Sequence, residues 1–486
     1  YSATNRAVRG SNPLGCAIIL FYIISLNSLN KIFVDLNHFS YYDCIYFYLI
    51  NLIFMLNFAY QEHRSSYYYD SRNLDLQFPK ISVNQSADVC VIGAGFLGLS
   101  AALELAEQGK RVIVLEGARV GFGASGRSGG QAINGFEEGI DEYIDHIGFE
   151  KARKLWDMSL EAIDIIDERV QKYGIQCDWK KGYATLALNN RRMDDLIAMQ
   201  KASEEQCGYT NMQLWDKAQL KQHLGSDIYV GGLYDRNSGH LHPLNYCLGL
   251  AKACVEAGVE IYEHSPATEI QVKSDTQAVV FAENFTVSCE NVVLAVNAYI
   301  DALSKKITFG IENTILPVES FIIATEPLSQ AMADSLINNG MSVCDNNLLL
   351  DYYRLSADNR LLFGSDSSTN VDMIAKMRSE MLAVFPQLED TKIEYGWGGP
   401  IDMTMNSTPH FGRAKPNVYF SQGFSGHGVA LTGLAGRIIS EAICGNDERL
   451  AIFEGLKVPH FYGGKWIKKM ALKVGIPYYR FLDKYR

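Results

Sequence analysis

The chain has 486 residues, of which 48% are apolar and 20% charged, an ordinary balance for a globular protein with a buried core and room for two or three domains. Lys and Arg total 44 against 55 Asp and Glu, a net charge of −11, which argues against nucleic acid as the main partner. Ten cysteines are scattered without a C-x-x-C pair or a Cys/His group at zinc spacing, so inert thiols in a reducing compartment, the cytoplasm, are expected rather than disulfides or structural zinc.

Residues 1–60 differ from the rest. They are crowded with Ile, Tyr, Phe, Leu and Asn and show no helical or strand period. The apolar runs Cys16 to Leu26 and Ile45 to Tyr60 fall short of the roughly 20 residues that span a bilayer, and the second is broken by Asn51 and Asn57. Neither a basic leader nor a small-residue cleavage site is clean. A weak membrane anchor and a folded extension are two readings. The favoured one is translated upstream AT-rich sequence, in which "GSNP" at 10–13 matches a transfer-RNA T-arm and the working protein begins near Met55.

Val89 to Ile92 is a short apolar run that predicts a buried parallel strand. Gly93-Ala94-Gly95-Phe96-Leu97-Gly98 follows at once, and Leu99, Ala102, Leu103 and Ala106 then share one helix face. Gly109 is the expected C-cap, Val112 to Leu115 the next strand, and Glu116 its tip. Gly93 suits a tight turn, Gly95 a close approach to a pyrophosphate, and Gly98 helix packing on the strand, with the helix N-terminus facing the anion. Glu116, placed to accept the ribose hydroxyls, disfavours a 2′-phosphate and hence NADP. Strand, glycine turn, helix, strand and acid in that order predict a bound dinucleotide. The glycine-rich stretch "ARVGFGASGRSGGQ" (118–131) brings several backbone N–H groups toward one anion or ring system.

Further on, helices are expected over 150–173, 191–207, 216–224 and 243–257, the last with Pro243 at N1. Residues 291–300 read as a buried strand ending in a turn. Residues 310–400 alternate short strands with one helix near 372–384, which suggests an antiparallel sheet. "GFSGHGVALTGLAGR" (423–437) repeats the glycine turn before a helix, and its positive end suits the edge of a flavin that gains negative charge on reduction.

On "EHRSSYYYDS" (62–71), "ADVCVIGAGFLGLSAALELAEQG" (87–109), "GARVGFGASGRSGGQ" (117–131), "PVESFIIATEPL" (317–328), "YYRLSADNRLLFG" (352–364) and "GFSGHGVALTGLAGR" (423–437), the chain resembles the D-amino-acid-oxidase-type FAD-dependent oxidoreductases. Within them it looks most like the bacterial gamma-glutamylputrescine oxidases. The resemblance covers about residues 60–486. It implies an α/β fold: a Rossmann-like FAD-binding domain of the glutathione-reductase/D-amino-acid-oxidase type with an inserted mixed, largely antiparallel β-sheet substrate domain. The expected division gives 61–140, 220–305 and 405–445 to the FAD domain and 141–219 and 306–404 to the substrate domain. Residues 446–486 are left as a tail.

The resemblance further implies that Gly93, Gly95, Phe96, Leu97 and Gly98 hold the pyrophosphate, that Glu116 and Gly117 hold the ribose, and that Ala267 meets the adenine. Ala124 and Ser125 would approach the phosphates. Gly129, Gly130 and Gln131 would lie near the isoalloxazine, and Gly426, His427, Gly428 and Val429 at its pyrimidine edge. Ser128 stands where Asn is expected. No cysteine is placed for a covalent flavin, so FAD is expected to be non-covalent. The implied reaction is oxidative deamination of an amine, with molecular oxygen as acceptor, giving an aldehyde, ammonia and hydrogen peroxide. A dehydrogenase that passes electrons to a quinone and a non-catalytic flavoprotein are the alternatives.

Tyr352, Tyr353 and Trp397 are candidates for an aromatic amine pocket, or else core. Arg354 either pairs with a substrate carboxylate or forms a structural salt bridge. His427 either donates to the flavin, or supplies positive charge for oxygen, or packs; His410 is expected to pack. The tail from Lys465 to Arg486, with seven basic residues against one acid, reads as a solvated helix face, with contact to a membrane surface as the less favoured alternative.

Overall fold

The computed structural model describes residues 62–63, 65–366, 372–461 and the single positions 468, 470, 472, 475 and 483. The expectations for residues 1–60 lie outside these.

The short apolar runs read from the sequence become the centre of a six-stranded sheet. Val89–Ile92 pairs in parallel with Val112–Leu115 on one side and Asn291–Leu294 on the other. Glu260–Tyr262 and Val418–Gln422 extend the sheet in parallel, and His410–Lys415 closes one edge antiparallel. All four residues of Val89–Ile92 and of Val112–Leu115 are buried, as strands covered on both faces require. One covering layer is helical. Phe96–Glu107 packs against Pro243–Glu256 and against Gly428–Ile443. That last helix crosses so closely that a Cβ at Gly436 would stand 2.6 Å from the Ala101 nitrogen. The C-terminal helix therefore returns onto the first one, and the Rossmann-like layer closes. The other face carries a four-stranded sheet, in the order Gln85–Ser86, Phe285–Cys289, Gln277–Ala282, Ala267–Ser274.

The second layer is a nine-stranded mixed sheet. Its main path runs Ile393–Thr404, Ile315–Thr325, Leu361–Asp366, Asp351–Leu355, Ser342–Asp345, Lys180–Ala187, Gly231–His240, Gln131–Ala132, with Met212–Asp216 also on Gly231–His240. Only Ser342–Asp345 with Lys180–Ala187 is parallel; every other pairing is antiparallel, as the expected largely antiparallel insert requires. Gly231–His240 falls inside the segment 220–305 that was expected in the FAD domain, yet it pairs in this sheet. Its residues supply Lys180–Ala187 and Gln131–Ala132 with backbone partners, so the boundary follows hydrogen bonding rather than chain position.

The expected helices are present with shifted ends: Phe149–Lys172, Asn190–Cys207, Pro243–Glu256 and Met373–Val384. The one expected over 216–224 is a single turn, Lys217–Leu220, closed by a capping box between Asp216 and Gln219. Among the described residues no single helix is long and apolar enough to cross a membrane, and the cysteines are free, all but Cys444 buried.

Candidate functional site

Gly93 has φ +108°, and a Cβ there would overlap the Ala295 carbonyl. A Cβ on Gly98 would overlap the Gly93 carbonyl, which explains why the helix can start directly off the strand. A Cβ on Gly95 would lie 2.8 Å from Ser125 Oγ. The Phe96 and Leu97 side chains are buried, Phe96 beside Tyr246, so what these residues offer a ligand is backbone. The Phe96 N–H donates to Ser125 Oγ at 2.9 Å, which brings the second glycine loop to the helix N-terminus.

Glu116 Oε2 accepts from Ala94 N–H at 2.7 Å and Oε1 from Ala118 N–H at 2.8 Å, so its carboxyl is fixed across the first turn. Burial pushes that carboxyl up, against the pull of the two N–H donors. The Ser265 N–H donates to the Glu116 carbonyl, a Cβ on Gly117 would meet Pro266 at 3.6 Å, and Ala267 starts the next strand. The residues expected around an adenosine are thus neighbours.

Beyond the second glycine loop lies a cavity of about 720 Å³. Ala124, Gly129, Gly130, Gln131, Gly426, His427 and Val429 line it, from two loops more than 290 residues apart in sequence. Gly428 does not; it opens the Gly428–Ile443 helix, whose N-cap residue His427 makes no side-chain cap. Asp402, buried on Ile393–Thr404, accepts from the Gly423 N–H and shapes that turn. Burial pushes the Asp402 carboxyl up to about 6. His427 is held down to about 4 by burial, so it is neutral at pH 7, and its Nδ1 stands 3.7 Å from Glu137 Oε2. It can donate to a bound group, but it does not bring the positive charge that was the other expectation.

Of the four aromatic and basic candidates on the sheet, only Tyr352 lines the cavity. Its ring lies over Gly129 and Gly364, where a Cβ would overlap it, and its hydroxyl meets Ser320 Oγ at 2.9 Å. Tyr353 points to the other face of the sheet, stacked on Phe363 and 3.3 Å from the Tyr229 hydroxyl. Strand alternation separates the two neighbours. Trp397 is buried edge-on to Tyr68, with Nε1 donating to the Arg127 carbonyl at 3.0 Å. The Arg354 guanidinium is spent on the Gly129 and Leu241 carbonyls and the Tyr68 hydroxyl. It braces the glycine loop instead of facing the cavity.

Sequence reasoning missed several lining groups. Arg127 faces the cavity with its guanidinium on the Gly123 and Gly398 carbonyls and the Tyr299 hydroxyl. Carboxyl side chains line the cavity at Glu137, Glu138, Asp141, Asp195, Asp235 and Asp345. Glu137, Glu138 and Asp141 stand together in the acidic stretch 137–145, a local signal that could have found them, whereas Asp195, Asp235 and Asp345 come from elements far apart in sequence. The tail is not simply a solvated face. Leu472 lines the cavity, Lys468 Nζ pairs with Asp301 at 2.7 Å, and Asp483 accepts from Arg192 and from the Leu348 and Leu349 N–H groups. His410 packs as expected, edge-on to Phe420.

The model of a family described as FAD dependent oxidoreductase (DAO) matches residues 88–442. The chain is 74% identical over 432 residues to a probable oxidoreductase OrdL of Haemophilus influenzae, covering 89% of this chain and 100% of that one. It is 40% identical over 427 residues to the gamma-glutamylputrescine oxidoreductase of Escherichia coli, covering 87% of this chain and 99% of the relative. Among solved structures, glycine oxidase from Bacillus cereus superposes with a TM-score of 0.62 at 18% identity, over 75% of this chain and 97% of that one. L-amino acid deaminase from Proteus myxofaciens does so with 0.63 at 17% identity, over 80% and 96%.

Proposed function

The chain belongs to the DAO family of FAD-dependent oxidoreductases, and from that premise we propose that it oxidatively deaminates a primary amine, gamma-glutamylputrescine, to the aldehyde with release of ammonia and reduction of oxygen to hydrogen peroxide. FAD is its cofactor. The residues fit that group: the glycine cradle at 93, 95 and 98 is space that a Cβ would fill, and neither Phe96–Glu107 nor Gly428–Ile443 has a side-chain cap from its own N-cap residue. Gly93, Gly95, Gly98 and Glu116 would hold its adenosine diphosphate half, and Gly129, Gly130, Gln131 and the 426–429 turn its ring. When bound, FAD supplies a hydride acceptor for the carbon that carries the amine.

The observation that carries the amine reading is the charge of the cavity. Six acidic residues line it against one arginine, and although burial pushes the Asp345 and Glu138 carboxyls up, the remaining acids outnumber the arginine while His427 is neutral. Such a lining favours a cation. Tyr352 offers a ring face for the alkyl chain, held in one rotamer by Ser320. The gamma-glutamylputrescine form of the substrate is supported by the relative that bears that activity in its name.

The test is to add gamma-glutamylputrescine to the FAD-loaded protein without oxygen, follow the flavin band, then admit air and assay peroxide. Bleaching, recovery in air and peroxide support the reading. Bleaching that air does not reverse favours a dehydrogenase. No bleaching removes this substrate.

A further inference from the structure

The cavity contains one carboxyl group whose setting stands out. Glu138 is 5% exposed, lines the cavity, and has one hydrogen-bond donor among the described residues, Thr408 Oγ1, at 3.0 Å from Oε2. Thr408 is itself fixed by Asn406 Nδ2 at 2.8 Å. Among the described residues no Lys, Arg or His pairs with Glu138. The other buried acids of the cavity differ: Asp345 and Asp235 accept several N–H or O–H donors. A second group points to the same place. Tyr143, 1% exposed and also lining the cavity, lies within Coulombic reach of Glu138 and beside Thr408, and among the described residues its hydroxyl meets no partner at good hydrogen-bond geometry. An acid and a hydroxyl buried beside one another without a cation are a costly arrangement unless a ligand completes it.

Resting on the amine reading above, we infer that Glu138 is the carboxylate that binds the ammonium group of the substrate, with Tyr143 as its neighbouring acceptor and Thr408 fixing the carboxylate plane. This makes Glu138 a specificity-determining residue for cationic over neutral or acidic ligands. The neighbouring groups agree with the assignment. Those that act on Glu138 are Glu142, Tyr143 and Thr408, with Glu137 close by on Tyr143 and His427; none is a cation at pH 7. Burial, with Glu142 adding to it, pushes the Glu138 carboxyl up to about 7. An arriving ammonium therefore selects the ionised form and expels the proton from the fraction that carries it. No covalent step is involved.

The probe is a gamma-glutamyl diamine analogue whose terminal amine carbon bears two methyl groups, so that it has no hydrogen to lose. Its binding to FAD-loaded protein is measured by calorimetry at pH 7 in two buffers of different ionisation heat. The wild type is expected to release about half a proton per ligand bound, because a group titrating near that pH is about half protonated. Glu138→Gln is expected to release none, to bind at least tenfold more weakly, and to keep its FAD and its melting temperature. Glu138→Asp is expected to keep the proton release with intermediate affinity. Glu142→Gln should keep the affinity within about threefold and release fewer protons than the wild type, because Glu142 helps to hold the Glu138 carboxyl up. Equal affinity in Glu138→Gln, or weaker binding with the same proton release, overturns the inference while the amine reading stands. A wild type that neither bleaches with amines nor binds the analogue removes both.

Discussion

Arg354 Nε donates to the Gly129 carbonyl at 2.8 Å, reaching the glycine loop from behind the cavity and not from inside it. Its Nη2 adds the Leu241 carbonyl and the Tyr68 hydroxyl, and the guanidinium is buried. Arg354→Ala leaves those acceptors unpaired, and the expected loss is about 2–4 kcal/mol of stability, from the cost of orphaned buried acceptors of a charged donor. FAD affinity should fall with it, while KM for the amine at saturating FAD changes less than about threefold, since uniform ground-state contacts are untouched. Thermal unfolding and flavin fluorescence titration check this. A KM raised many-fold at unchanged melting temperature would return Arg354 to the substrate.

Gly98 sits where a Cβ would overlap the Gly93 carbonyl. Gly98→Ala must push the Phe96–Glu107 helix off its strand, an overpacking cost of roughly 1–3 kcal/mol or more. Because the same shift moves the Phe96 N–H, the variant should purify folded but colourless, with far-UV circular dichroism retained. Retention of stoichiometric FAD would show that the helix start is not the cofactor cradle.

The contrast between these two residues shows what the sequence could carry. Gly93, Gly98 and Glu116 were legible because strand, turn, helix and acid are contiguous and each glycine has a steric reason. The return of 423–437 was legible because its glycines repeat the same device. Arg354 was not, because its partners at 68, 129 and 241 are set by the antiparallel sheet and the chain order says nothing of them. Tyr352 and Tyr353 are identical in composition terms, and only the strand's pairing decides which faces the cavity. Asp402 is a single acid made notable by burial alone, and Glu138 is distinguished by burial from the acids that surround it in 137–145.

Tyr352 holds its position through Ser320 Oγ at 2.9 Å and the two glycines beneath it. Tyr352→Phe keeps the ring and loses one hydrogen bond, about 0.5–1.5 kcal/mol, so kcat/KM should drop roughly 2- to 10-fold. Gly364→Ala would displace the ring outright and should cost more than Tyr352→Phe. Steady-state kinetics of both variants at saturating FAD give the order; the reverse order would place the hydroxyl, not the ring, at the substrate.

His242 caps the Pro243–Glu256 helix. Its Nδ1 accepts from Asn245 N–H at 3.1 Å, so Nε2 carries the hydrogen toward Ser71 Oγ at 3.0 Å. Burial, with Arg354 adding to it, holds the imidazole down to about 3. The unfolded chain binds this proton near 6.5 and the folded chain near 3, so stability from this group is full above about pH 6.5 and is lost as pH falls through that window. Glu138 and Asp402 act with the opposite sign over part of the same range. The comparison is therefore between wild type and His242→Asn, which keeps a capping side chain. The variant's loss of stability between pH 6.5 and 4 should be shallower by up to about 1.4 kcal/mol per pH unit, one proton's slope. Parallel profiles from chemical denaturation would mean that His242 is already charged.

Asp483 ties the end of the chain to the cavity wall. It accepts from Arg192 Nη2 at 2.6 Å, from Leu348 N–H at 2.9 Å and from Leu349 N–H at 3.0 Å. Asp345 to Leu350 line the cavity, and Leu472 lines it from the same end of the chain. Arg192 is buried, so Asp483→Ala takes its charge partner away and leaves two backbone N–H donors without their acceptor. Hydrogen bonds to charged groups contribute about 1.5–3 kcal/mol each, and here they hold a loop more than they hold the core. The wall should loosen without disturbing the glycine cradle, since the hydrogen bonds of Asp483 go to Arg192, Leu348 and Leu349. The expected result is a KM for the amine raised about tenfold, kcat within about twofold, and unchanged FAD affinity. Asp483→Asn, which can still accept from one N–H, should fall between. If instead FAD is lost and KM is unchanged, the end of the chain supports the fold as a whole and the cavity wall stands without it.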